Sequence, residues 1–163
     1  IQLFFVPLIL FVSCHPAYAR ILLNCCVIGA VTATLVTTAF PTSDALLWHG
    51  QIALNADGYT GVARIDDWLK LRDGSLKNLE VESLVGIVCF PSYHALLACL
   101  FVGFTAHLKR ARWVFLILNA LMLAATPRWG GHYLVDVLAG MFMGVLIIAM
   151  ALAYTRKPNV SLP

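Results

Sequence analysis

A chain of 163 residues that is 61% hydrophobic and 12% charged, with a mean hydropathy of +0.86, is not an ordinary soluble domain. Its net charge of +3 is small and gives no case for a nucleic-acid partner, so the placement of the charges matters more than their sum. The five cysteines, Cys14, Cys25, Cys26, Cys89 and Cys99, lie in or beside apolar runs without CxxC or Cys/His zinc spacing. They read as small buried hydrophobes.

Five apolar segments are predicted as helices: about Ile1 to Cys14, Ile21 to Phe40, Leu84 to His107, Trp113 to Ala125 and Gly131 to Tyr154. The complete ones approach the ~20 residues that carry a helix across ~30 Å of hydrocarbon. The fourth is shorter unless its flanks join it. The fold class expected is all-α, a multi-pass transmembrane helix bundle forming one membrane-embedded domain over 1–163. Because the chain opens on Ile1 rather than Met, an upstream stretch is expected, with six or more spans in all.

If every segment spans, the basic residues fall on one side. Arg20 lies between segments one and two, Lys109, Arg110 and Arg112 between three and four, and Arg156 and Lys157 after five. The positive-inside rule makes that side cytoplasmic. All the acids, and the polar connection 41–82, then belong to the other side. Ala17-Tyr18-Ala19 resembles a signal-peptidase site. Cleavage there would invert the charge rule at every loop. Within the connection, Trp68, Leu69 and Leu71 alternate with charges, as in a short interfacial helix, and Asp73-Gly74 is a turn signal.

Ionisable residues at a membrane helix are expensive and are functional candidates by default. His132 and Asp136 are one turn apart and share a face if segment five is helical from Gly131. A carboxylate there fixes an imidazole's tautomer and stabilises charge that develops on it. Phe90-Pro91-Ser92-Tyr93-His94 lies near the start of segment three, with Pro91 and Ser92 suited to a helix start. The expected topology puts His94 and His132 on the same, outer side. His15 and His107 fall on the cytoplasmic side, and His49 is outer but has no partner in sequence. Gly140 and Gly144 form a GxxxG pair on the face that continues from His132 and Asp136, suited to close helix contact.

"FPSYHA" and "GGHYLVDVLAG" resemble the second and third signature motifs of the type 2 phosphatidic acid phosphatase superfamily. "GIVCFPSYHA" with "TPRWGGHYLVDVLAG" is especially similar to its inositolphosphotransferase-like branch, which includes inositol phosphorylceramide synthases. The resemblance runs from about Leu71 to Leu146. It implies an integral-membrane enzyme acting on lipid phosphates or phospholipid head groups, and the placement of the basic residues puts its site at the non-cytoplasmic face of the cell membrane. It implies His132 as a nucleophile that becomes a phosphohistidine, Asp136 as the residue that holds its ring, and His94 as the acid and then the base. Ser92 is implied in holding the phosphoryl group. No metal or other cofactor is needed. The family's first motif, a lysine, six residues and then Arg-Pro, is absent. Lys70 and Arg72 are the nearest basic residues on the correct side, and Arg128 stands four residues before His132 where the family has six. Lys70, Arg72 and Arg128 are therefore carried as substrate contacts by position only. Tyr93 replaces a common glycine.

Two other readings stay open at this point. His49, His94, His132 and Asp136 are enough to bind zinc in a metal-dependent hydrolase, although they lack compact spacing. A transporter subunit with a buried polar relay needs no chemistry at all.

Overall fold

A computed structural model describes residues 1–13, 16–40, 42, 70, 73–75, 89–129 and 131–155. The described residues form five helices and no strand: α1 Gln2–Val12, α2 Pro16–Ala39, α3 Tyr93–Thr105, α4 Ala111–Trp129 and α5 Leu134–Thr155. Of these, α2 and α5 are long and apolar enough to cross a membrane. Their 24 and 22 residues reach ~36 and ~33 Å at 1.5 Å per residue. The fourth predicted segment gains both flanks and becomes a 19-residue helix with Pro127 in its last turn. Segment three is described as helix only from Tyr93, and residues 84–88 lie outside the described set.

Three helices make the centre, and small residues set their spacing. A methyl group built at Gly140 of α5 would run into the Ser92 carbonyl, and one at Gly144 would meet Cys99 Cβ at 2.8 Å and the Leu96 carbonyl at 2.9 Å. The two helices therefore touch through backbone, and the order of the contacts makes them parallel. Farther along, Gly103 of α3 faces Ile148. On the other flank α2 runs antiparallel: Thr37 meets Phe90, Gly29 meets Leu96, and the rings of Tyr18 and His107 lie 5.0 Å apart. Leu22, Cys25 and Cys26 of α2 pack with Leu96, Leu100 and Phe104 of α3 and Ile147 of α5, and Val6 and Leu10 of α1 join them. The cysteines at 25 and 26 are buried free thiols, as their apolar context predicts. Asn119 of α4 donates to the Gln2 side chain of α1 at 3.0 Å.

The outer surface reverses the soluble pattern. Val27, Val31 and Leu35 of α2 and Leu138, Phe142 and Val145 of α5 are each more than half exposed, while Asp136, Ser92 and Thr105 are buried. Large apolar side chains outside and small or polar ones inside suit a bundle solvated by lipid. The parallel and antiparallel order also sorts the charges. Arg20, Lys109, Arg110 and Arg112 lie at the end of the bundle marked by Tyr18 and His107, and Ser92, His132 and Asp136 lie at the opposite end.

Most of the 41–82 connection, including the predicted interfacial helix apart from Lys70, lies outside the described residues, as does His49. The turn at Asp73-Gly74 is present. Gly74 has φ +75°, and Ser75 N–H donates to Asp73 Oδ1 at 2.8 Å. Hydrogen bonds from the Ser75 side chain and backbone hold the exposed Asp73 carboxyl below the usual range.

Candidate active site

Two helix starts build the site. Ser92 is the N-cap of α3, and its hydroxyl accepts from Ala95 N–H at 3.4 Å. This is the start that Pro91-Ser92 predicts. The α5 helix begins three residues later than predicted, because Gly131 takes the left-handed conformation (φ +69°) and turns the chain before Tyr133. Asp136 then stands in the first turn and accepts from Tyr133 N–H at 2.8 Å, the reach-back half of a capping box. Carboxylate charge at a helix N-terminus is also favoured by the helix dipole. Asp136 is 1% exposed, so these contacts are what make its burial tolerable.

The two starts are joined through backbone. Ser92 N–H donates to the Asp136 carbonyl at 2.9 Å, and the glycine contacts at 140 and 144 begin directly below. His94 and His132, 38 positions apart in sequence, come together with ring centroids 6.3 Å apart in an edge-to-face arrangement. His132 is 7% exposed, whereas His94 is open at the surface of the described structure.

The orientation of His132 differs from the sequence expectation. With α5 starting at Leu134, His132 lies in the turn before the helix and not on a shared helical face with Asp136. Its Nδ1 is 2.9 Å from the Cys89 carbonyl and 3.7 Å from Asp136 Oδ2. A carbonyl can only accept, so Nδ1 carries the hydrogen and the lone pair of the neutral ring sits on Nε2. The tautomer is set by a backbone group of the second motif, and Asp136 supplies charge one short step farther away. Sequence reasoning missed Cys89, and no residue-type signal could have found it, because any residue carries a carbonyl.

Tyr93, in place of the common glycine, points its hydroxyl to the Cys26 carbonyl of α2 at 3.0 Å. Its ring packs against the core and braces α3 on α2. Of the basic candidates, Lys70 is exposed, Arg72 lies outside the described residues, and Arg128 falls in α4 with its side chain outside the description. Among the described residues no group of three His, Cys, Asp or Glu is arranged to hold a metal.

Comparison with known sequences decides the family. The PAP2 superfamily model matches residues 1–150. The chain belongs to the PAP2 superfamily. No curated protein and no solved structure matches the chain significantly. As a PAP2 protein it is a phosphatase-type enzyme of lipid phosphates, and its apolar helices agree with a place in the membrane. The PAP2 match also takes in α1 and α2, about which the two motifs are silent.

Proposed function

We infer that this PAP2 protein transfers a phosphoryl or phosphoester group through a covalent histidine, taking it from a lipid phosphate or a phospholipid head group. The observation that carries the reading is the His132–His94 pair, with Nδ1 of His132 occupied by the Cys89 carbonyl. One ring thus presents a lone pair on Nε2 while its neighbour meets solvent and can exchange protons. Acid–base chemistry between two like groups needs this difference of environment.

His132 Nε2 attacks phosphorus and forms an N–P bond as the P–O bond to the leaving group breaks. His94 gives its proton to the leaving oxygen. The ring of His132 carries the developing positive charge, which the Asp136 carboxylate at 3.7 Å stabilises. His94, now neutral, takes a proton from the acceptor hydroxyl. That oxygen bonds to phosphorus, the N–P bond breaks, and both histidines return to their starting forms. Water as acceptor gives hydrolysis, and an alcohol such as an inositol or sugar hydroxyl gives transfer. The likeness of "GIVCFPSYHA" and "TPRWGGHYLVDVLAG" to the inositolphosphotransferase-like branch supports the second outcome. The positive end of α3, with the Ser92 hydroxyl as donor, would hold phosphoryl oxygens, joined by Lys70, Arg72 and Arg128. The chemistry needs no metal. The basic residues at the opposite end of the bundle support a cytoplasmic position for that end and a non-cytoplasmic site.

The test is turnover by purified protein on a panel of lipid phosphates and phospholipids, with and without free inositol as acceptor. Activity that survives EDTA and is blocked by vanadate, a mimic of five-coordinate phosphorus, supports the reading. Activity lost to EDTA and restored by zinc would replace it with a metal-dependent hydrolase.

A further inference from the structure

Threonines inside helices ordinarily turn their hydroxyls back on their own helix, bonding the carbonyl four residues earlier. Thr32, Thr34, Thr38, Thr105 and Thr126 all do so here. Thr37 of α2 does not. Its hydroxyl leaves the helix and donates to the Phe90 carbonyl, 53 positions away, at 2.6 Å. The residue is buried at 8% exposure, whereas its neighbour Thr38 faces outward.

The bond lands at a consequential place. Pro91 has no N–H, so the Phe90–Pro91 peptide offers only its carbonyl as an anchor. One peptide upstream is the Cys89 carbonyl, the group that holds Nδ1 of His132 at 2.9 Å. Only the two torsions of Phe90 separate the two carbonyls. On the other side of Ser92, the Tyr93 hydroxyl reaches the Cys26 carbonyl of the same helix. Thus α2 grips the second motif before and after Ser92.

We propose that Thr37 is a positioning residue of the phosphoryl-transfer site. It anchors the Phe90–Pro91 peptide and so keeps the Cys89 carbonyl in line with His132, which then presents Nε2 to phosphorus. This inference rests on His132 being the nucleophile, as set out under Proposed function. Thr37 touches neither the histidine nor the substrate, so its effect belongs on kcat and not on KM.

The experiment compares Thr37→Val, Thr37→Ser and Thr38→Val in the full chain. The probe is dioleoyl phosphatidic acid in detergent micelles, and acid-labile phosphoenzyme is quantified in the wild type. Thr37→Val keeps the shape and removes the donor. The expected loss in kcat is about ten-fold at unchanged KM, the scale of one ordinary hydrogen bond. Thr37→Ser restores kcat to within about two-fold of wild type, and Thr38→Val, which loses only a local bond, stays within the same range. Should Thr37→Val fail to fold, Thr37→Cys, similar in size with only a weak donor, carries the same comparison. Wild-type kcat in the variant without a donor overturns the proposal, as does a serine variant as slow as the valine one. A wild type that hydrolyses the lipid without any phosphoenzyme overturns the nucleophile assignment instead.

Discussion

Gly140→Ala tests whether backbone contact between α3 and α5 sets the geometry of the site. The added methyl would run into the Ser92 carbonyl, with Ser92 C at 3.0 Å and Ala95 Cβ at 3.1 Å. None of these atoms is the tip of a flexible side chain, so the helices must part by on the order of 1 Å. Overpacking of this kind costs about 1–3 kcal/mol, against about 1 kcal/mol gained from alanine's better helix propensity. A net loss of roughly 0–2 kcal/mol follows. The same shift moves Ser92 and the Asp136 carbonyl, which are hydrogen-bonded at 2.9 Å, and with them His94 against His132. A misplacement of about 1 Å between reacting groups costs about 10²-fold in rate, far more than the stability change alone explains. Gly103→Ala is the control, because its methyl meets only the Ile148 side chain, whose Cδ1 at 2.7 Å can swing away. The assay is kcat on a lipid phosphate beside thermal unfolding in the same detergent. Wild-type kcat in Gly140→Ala, or equal damage from Gly103→Ala, would refute the reasoning.

Three further outcomes are expected. Asp136→Asn should lower kcat by about 10²-fold, less than the ~10⁴-fold lost where the aspartate alone sets the tautomer, because the Cys89 carbonyl still fixes it here; unchanged pre-steady-state phosphoenzyme formation would contradict this. His94→Ala should be hurt least with substrates whose leaving group is already a weak base, and a defect equal for good and poor leaving groups would remove His94 from the acid role. In a background without native cysteines, a cysteine at position 74 should react with an impermeant reagent added outside and one at position 111 should not, and the reverse pattern would invert the topology.

The helices were legible from the chain because length and hydropathy alone determine them, and Ser92 was legible as an N-cap because serine before a helix has one dominant use. The GxxxG pair was legible for a similar reason: two small residues on the face of Asp136 have little to offer except room. What the residues could not announce was carried by backbone. The start of α5 moved to Leu134 because Gly131 takes a positive φ, and glycine by itself does not declare which conformation it adopts. That shift took His132 off the helical face and handed its Nδ1 to the Cys89 carbonyl. The purpose of Tyr93 was hidden for the same reason, since its partner is also a carbonyl, on α2. Residue type does not distinguish Thr37 from the other threonines of α2, because the group that takes its hydroxyl is again a backbone carbonyl, that of Phe90.

The central claim is that His132 bonds covalently to phosphorus. Rapid acid-free quenching of enzyme turning over a ³²P-labelled lipid phosphate, followed by denaturing separation, measures it directly. The wild type should retain label that survives alkali and is lost in mild acid, the behaviour of a phosphoramidate. His94→Ala should retain more of it with a good leaving group, because breakdown is slowed, and His132→Ala should retain none. Label of the same stability in His132→Ala would contradict the account.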